Sequence, residues 1–376
     1  MEALILSCGT GGGHNMAGNA IAEELERRGH SVTLMDPYRL VGKNTADYVG
    51  NSYIRLVQRS PRLFGWLYSL GEFYRKLPIH SPVYWANGKM ADAMQRYLGE
   101  HPCDCIIMTH MYPAHMLDHL KGKMPLPKTV LVATDYTCIP FMEESDCDYY
   151  VVPAPDLIGE FCSRGIPKEK ILPYGIPVRR DFAAHCEKEE ARARLGFKRD
   201  GRYILLSGGS IGAGQMSETV AVLERFLQEN ANCHLLIVCG KNRRLYEKLQ
   251  SKYAGQEQIR VMESTTRMAD YMKACDVFIT KRGGLSSTEA AAAGIPLIHI
   301  SPIPGCEQRN AEYFLTHGMS LLAKAPKKEL LPALYELQQD GRFREMLLAQ
   351  KCGVNLCAAE TLCEFLEQAV DPQKKG

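Results

Sequence analysis

The sequence predicts an α/β protein built of two Rossmann-like domains facing each other across a cleft. Three observations carry this. Short apolar, β-branched runs alternate with helical stretches along most of the chain, the pattern of doubly wound parallel sheets. That pattern opens twice, near residue 3 and near residue 203, each time as a strand, a glycine-rich turn and a helix. The length of 376 residues is too great for one compact α/β core and fits two domains of ordinary size.

Taken in order, residues 3–8 read as the first strand and Gly9-Thr10-Gly11-Gly12-Gly13-His14-Asn15 as the turn after it. A helix over about 16–28 is stopped by Gly29, and 31–36 is the second strand. The turn nearly matches the dinucleotide fingerprint, with Asp36 about 20 residues on, but His14 stands where the third glycine belongs. A histidine there argues for chemistry at the turn and against close packing of a dinucleotide. Strands are expected again at 104–109, 129–134 and 149–152, and residues 174–182 read as the exit from a first domain spanning 1–182.

The second domain, 183–355, repeats the opening. A strand at 203–206 runs into Ser207-Gly208-Gly209-Ser210-Ile211-Gly212-Ala213-Gly214 and then a helix over 215–229. Further strands are expected at 234–239, 259–262, 277–280 and 297–300. A loop over 301–310 leads into a helix reaching about 317, and two long helices finish the chain. The last of them, 356–376, is expected to pack back on the first domain.

Composition narrows the function. With 45% hydrophobic and 23% charged residues and a net charge of +2, the chain reads as soluble and globular. There is no basic excess for nucleic acid, and no apolar run near the ~18 residues of a membrane span. The first residues enter a strand directly, without the pattern of a signal peptide, so a cytoplasmic location is expected. The fourteen cysteines are scattered and match no zinc spacing, as expected of reduced thiols. His110, His115 and His119 have no acid partner at a recognised ligand spacing and read as ordinary core or surface histidines.

Residues 51–90 differ from the rest. Tyr53, Phe64, Trp66, Tyr68, Phe73, Tyr74, Tyr84 and Trp85 alternate with Arg55, Arg59, Arg62, Arg75 and Lys76. Two readings are open: a segment that docks on an anionic membrane surface, or a helical hairpin with its aromatic face packed inside.

The stretch richest in chemistry is Lys281-Arg282-Gly283-Gly284-Leu285-Ser286-Ser287-Thr288-Glu289, where a strand turns into an alanine-rich helix ended by Gly294 and Pro296. The first-turn N–H groups and the positive end of the helix dipole suit a phosphate there. Equally, Ser286-x-x-Glu289 reads as a capping box. On the first reading Ser210 and Ser286 add hydroxyl donors, Glu289 takes the hydroxyls of a ribose, and Glu307 and Asn310 hold sugar hydroxyls. Lys281 or Arg282 would then stabilise a leaving diphosphate without metal, since no acidic pair or D-x-D motif stands at these glycine turns to offer a metal site. His14 and Asp135 are the candidate general bases.

These motifs resemble those of the two-domain GT-B glycosyltransferases of family 28, in particular the monogalactosyldiacylglycerol synthases and processive diacylglycerol glucosyltransferases. The residues that carry the likeness are Gly9-Thr10-Gly11-Gly12-Gly13-His14, Thr134-Asp135-Tyr136, Gly175-Ile176-Pro177-Val178, Gly208-Gly209-Ser210-x-Gly212, Lys281-x-Gly283-Gly284 with Glu289-Ala290, and Pro304-Gly305-x-Glu307-x-x-Asn310. The resemblance implies an inverting, metal-independent transfer of a hexose from a UDP-sugar to diacylglycerol, with no cofactor, at the cytosolic face of a membrane. It implies that Ser210 and the turn Gly284-Leu285-Ser286 hold the donor phosphates, Glu289 the ribose, and Glu307 and Asn310 the sugar, with His14 as base or acceptor-orienting residue. The chain departs from the family in having Ile139 and Met142 where a His and a Trp often stand, and Cys306 where the galactolipid enzymes usually have Gln. Competing expectations are a UDP-sugar 2-epimerase, a transferase acting on a polyprenyl lipid or small molecule, and a non-catalytic UDP-sugar sensor.

Overall fold

Two all-parallel, six-stranded sheets organise the computed structural model, which describes residues 1–9, 11–300, 305–339 and 341–370; within these, the side chains of 43, 53, 54, 57–59, 61 and 62 are left aside. Residues 1–179, with 305–306 and 357–370, form one compact unit, and 180–300 with 307–356 form the other. Thr10, residues 301–304, and the side chains of Tyr53, Arg59 and Arg62 therefore fall outside the described part.

The first unit contains β1 (Glu2–Leu6), α1 (Gly12–Arg27), β2 (Ser31–Met35), α2 (Lys43–Arg59), α3 (Pro61–Tyr74), α4 (Pro82–Gly88), α5 (Ala91–Glu100), β3 (Cys105–Met108), α6 (Met111–Asp118), β4 (Lys128–Val132), β5 (Tyr149–Val151), α7 (Ile158–Ser163) and β6 (Ile171–Leu172). Its strand order is β2-β1-β3-β4-β5-β6. Strands β1, β3 and β4 are apolar and buried on both faces, as a parallel sheet covered by helices requires.

In the second unit come α8 (Arg180–Ala183), α9 (Lys188–Leu195), β7 (Arg202–Ser207), α10 (Met216–Glu229), β8 (Cys233–Val238), α11 (Arg243–Lys252), β9 (Ile259–Met262), α12 (Met268–Ala274), β10 (Val277–Thr280), α13 (Gly284–Ala293), β11 (Leu297–Ile300), α14 (Cys306–Thr316), β12 (Leu321–Ala323), α15 (Pro326–Leu337) and α16 (Arg342–Gly353). The order is β12-β11-β10-β7-β8-β9. The last helix, α17 (Ala358–Val370), belongs to the first unit, where Leu362, Cys363 and Leu366 enter the core beside Ile21 and Leu25 of α1. Arg28 clamps it by ion pairs to Glu364 (2.9 Å) and Glu367 (3.2 Å).

In both sheets the chain winds outward one way and then returns to wind the other. The order reverses between β1 and β3 in the first unit and between β7 and β10 in the second. Ligands of open parallel sheets bind at the carboxyl ends of such strand pairs. Among the described residues no two cysteines are joined in a disulfide.

Several boundaries differ from the sequence expectation. Helix α1 starts at Gly12, so Gly12, Gly13 and His14 form its first turn and the glycine turn proper is shorter. Strands β6 and β12 have two and three residues, too short to show a period, and were not expected. The chain ends in three helices where two were expected, because a break near Gly341, at φ +89°, separates α15 from α16.

Candidate functional site

Each unit brings a set of the expected residues together at its own reversal point. In the first, a small pocket is lined by His14 from α1, Thr109 and His110 after β3, and Thr134, Asp135 and Met142 after β4. His14 Nδ1 lies 2.7 Å from the carbonyl oxygen of Thr109. A carbonyl only accepts, so Nδ1 carries the ring proton, and Thr134 Oγ1, 2.9 Å from the same nitrogen, shares it. In the neutral ring this leaves Nε2 as the basic nitrogen. Burial pushes the His14 pKa below its ordinary value, against the opposing pull of the Asp135 charge and the bond to Thr109.

His110 is the site residue that the sequence reading missed. Its ring meets that of His14 edge-on, with centroids 4.6 Å apart, and its Nδ1 accepts the N–H of Tyr112 at 3.2 Å, capping α6. Burial, with His14 and His115 beside it, holds its pKa well below the ordinary histidine range. Its place directly after an apolar strand is the only signal the sequence offered. His115 is engaged with Asn87 (3.2 Å) and the Phe141 carbonyl (2.9 Å), and His119 with the His115 carbonyl (2.8 Å). Among the described residues no group of three or more ligating side chains gathers around a metal position. Asp36 holds the turn together by accepting from Gly9 N–H (3.1 Å) and Tyr38 N–H (3.0 Å), which accounts for it without a ribose.

The second unit's set gathers around the turns after β7 and β10. Gly209 stands at φ +69°, and a Cβ there would meet the Lys281 side chain at 2.8 Å, so the glycine lets the lysine lie along the turn. Lys281 Nζ pairs with a Glu307 carboxylate oxygen, which joins β10 to α14. Asn310, wholly buried, donates through Nδ2 to the Arg282 carbonyl at 3.2 Å and ties α14 to the same turn. Ser210 is exposed and Ser286 half-buried, whereas Leu285 belongs to the core, so only its backbone is available to a ligand. Gly305 stands at φ +111° just ahead of α14.

Helix α13 settles the local geometry of the turn. Its N-cap is Gly283, with no side-chain cap, so Ser286 lies inside the first turn and the capping-box reading of Ser286 and Glu289 is corrected. Its C-cap is Gly294 in the left-handed conformation, at φ +67°. Glu289 is only 8% exposed, one turn further in. Arg282 is 2% exposed, and its Nε and Nη2 have no hydrogen-bond partner among the described residues. Burial pushes its pKa down, with Glu307, Glu312 and Glu329 acting the other way. A buried guanidinium with two unsatisfied nitrogens is costly.

The aromatic-basic segment divides. On α3, Leu63, Trp66, Leu67, Leu70 and Phe73 fall on one helical face, and all are exposed, Trp66 and Phe73 by 61% and 62%. Trp85, Ile79, Arg55 and Lys76 are exposed too. Tyr84, by contrast, is buried and donates to Asp118 at 2.7 Å. Arg75 is also turned inward: its guanidinium bonds Glu143 at 2.7 and 2.8 Å and the Cys138 carbonyl at 3.0 Å, so it is no lipid-facing cation.

Residues 14–178 match the family model of monogalactosyldiacylglycerol (MGDG) synthase, and residues 203–351 that of the glycosyltransferase family 28 C-terminal domain. The chain is 30% identical to the probable monogalactosyldiacylglycerol synthase of Glycine max over 90% of its own length and 67% of that protein. It is 24% identical to the processive diacylglycerol beta-glucosyltransferase of Bacillus pumilus over 98% of its own length and 95% of that protein. Among solved structures, MurG of Acinetobacter baumannii superposes with a TM-score of 0.60 at 15% identity, covering 98% of this chain and 99% of that one. A UDP-GlcNAc 2-epimerase from Neisseria meningitidis, bound to UDP-GlcNAc, does so with 0.65 at 13% identity, covering 98% and 100%. These structural likenesses show the shared two-domain Rossmann-like fold. By these sequence matches, the chain belongs to the monogalactosyldiacylglycerol synthase family of the family 28 glycosyltransferases.

Proposed function

We propose that the protein transfers a hexose from a UDP-sugar to the free hydroxyl of diacylglycerol at an anionic membrane surface, with inversion and without a metal. The observation that carries this is the His14 ring, fixed as the Nδ1–H tautomer by the Thr109 carbonyl so that Nε2 is the nitrogen able to take a proton. The named relatives act on diacylglycerol with galactose or glucose, which gives the acceptor class.

In this reading the first unit serves the acceptor. His14 Nε2 removes the hydroxyl proton as the oxygen attacks the anomeric carbon of the sugar. The imidazolium that forms is stabilised by the Thr109 carbonyl and by the Asp135 charge. Ile139 and Met142, where the family often has a His and a Trp, line the same pocket and make it more apolar. The second unit serves the donor. The uncapped start of α13 and the glycine turn at Gly209 and Ser210 take the diphosphate, with Lys281 and Arg282 supplying positive charge. Glu289 takes the ribose hydroxyls, and Glu307 and Asn310, beside Gly305, the sugar hydroxyls. The apolar stripe on α3 enters the headgroup layer, with Arg55 and Lys76 toward anionic lipid.

Incubation with UDP-glucose, UDP-galactose or UDP-N-acetylglucosamine and diacylglycerol liposomes, followed by lipid chromatography and nucleotide-sugar analysis, tests this. A glycosyldiacylglycerol and stoichiometric UDP are expected. An altered nucleotide sugar with no new lipid would mean an epimerase, and transfer only to another acceptor would contradict the diacylglycerol assignment.

A further inference from the structure

His299 occupies the middle of β11, flanked by the core residues Ile298 and Ile300, and is wholly buried. Both its nitrogens are nevertheless satisfied. Ser320 Oγ lies 3.1 Å from Nδ1, and Ser287 Oγ lies 2.8 Å from Nε2. The Ser287 hydroxyl also lies 2.8 Å from the carbonyl oxygen of Gly283, the N-cap of α13.

The protons can be ordered without ambiguity. The Gly283 carbonyl only accepts, so the one hydroxyl proton of Ser287 goes to it. Ser287 Oγ must then accept from His299, which places the ring proton on Nε2. Nδ1 is left to accept from the Ser320 hydroxyl. Such an order needs a neutral ring, and burial beside Arg282 and Lys281 pushes the His299 pKa down to about 3. Ser320, His299 and Ser287 therefore form a directional relay that ends on one peptide group.

That peptide joins Gly283 to Gly284, the first residue of α13, whose N–H the helix itself does not use. Its carbonyl already accepts the Ser287 N–H at 3.1 Å, so the relay fills its second lone pair. Two bonds to the carbonyl fix the peptide plane and draw electrons away from the N–H, making it a stronger donor. Apolar residues at 287 and 299 would fill the core without three buried polar groups to satisfy. We propose that His299 is a positioning residue for the donor, holding and polarising the Gly283–Gly284 peptide at the diphosphate-binding start of α13. This rests on the reading of that turn as the donor diphosphate site.

The test is calorimetric titration of the full chain with UDP and separately with uridine, on the wild type, His299→Leu, Ser287→Ala and the double variant, beside melting curves. UDP affinity should fall about five- to tenfold in each variant, the effect of one net hydrogen bond. Uridine affinity should stay at the wild-type value, and the double variant should lose no more than either single one, since one relay is broken once. Wild-type UDP affinity in the variants, at unchanged or higher melting temperature, would overturn the proposal. So would a fall in UDP and uridine affinity together, which would mean general loosening of the domain. Should His299→Leu fail to fold, Ser287→Ala, which removes a single oxygen, decides alone. A wild type that binds no UDP would overturn the donor-site reading itself and the relay's role with it, a result distinct from all the others.

Discussion

The two units solve the same topological problem with different chemistry. Each gathers its residues where the strand order of a parallel sheet reverses, after β1 and β3 in one and after β7 and β10 in the other. The first unit places a titratable ring there, its tautomer set by a backbone carbonyl. The second presents a helix start, a lysine in an ion pair, and a buried histidine kept neutral and bonded on both sides. In the proposed function one site moves a proton and the other holds charge still. Changes in the first should alter turnover, and changes in the second should alter donor affinity.

The largest expected effect lies in the first unit. His14→Ala should lower turnover on diacylglycerol liposomes by at least ~10²-fold, the scale of losing a general base, with UDP affinity near wild type. A parallel loss of UDP affinity would break the division between the units. Next is Glu289→Ala, which removes a charged acceptor from the donor side and should weaken UDP by roughly 1.5–3 kcal/mol. Calorimetry reads it directly, and unchanged UDP affinity would leave Glu289 a packing residue of α13.

Acidity separates folding from catalysis. His14, His110, His115 (about 4) and His299 (about 3) all have folded pKa values below the ordinary value of 6.5. Below pH 6.5 the unfolded chain takes up protons that these folded rings refuse. Their stabilising contribution is therefore whole at neutral pH and is lost as pH falls from 6.5 toward the folded values. The slope is about 1.4 kcal/mol per pH unit for each such histidine. Urea unfolding at pH 7 and pH 5 measures it, and equal stability at both would contradict the burial of neutral rings. For the same reason the acid limb of turnover should lie below pH 6.5, since His14 must be neutral to act as base.

The smallest effect is expected at the membrane. Trp66→Ala with Phe73→Ala should reduce co-sedimentation with anionic liposomes and leave UDP affinity alone, and added salt should weaken the cationic remainder. Undiminished sedimentation would mean that the α3 stripe serves another surface.

Much of this was legible in the chain because parallel strands announce themselves as apolar runs and their glycine turns sit at fixed places. Strands β9, β10 and β11 lie where the apolar runs put them. What escaped were features set by distant partners. Nothing in the spacing of Arg75 among aromatics tells that Glu143, 68 residues on, turns it inward. The helix start at Gly283 displaced the capping box because a strand-to-helix turn can use backbone alone, and Ser286 then falls within the first turn. His110, read as an ordinary core or surface histidine, finds its place only through the His14 ring and the Tyr112 N–H, and His299, inside an apolar strand, only through Ser287 and Ser320.

The most direct test of the account is turnover of the His14→Asn variant with UDP-sugar and diacylglycerol liposomes, measured beside its UDP affinity. Asparagine can still donate a hydrogen bond to the Thr109 carbonyl but cannot take up a proton. The account predicts a loss of turnover of at least ~10²-fold, as in the alanine variant, with UDP binding intact. If the asparagine variant keeps most of its activity, His14 only orients the acceptor, and the proton must leave by Asp135.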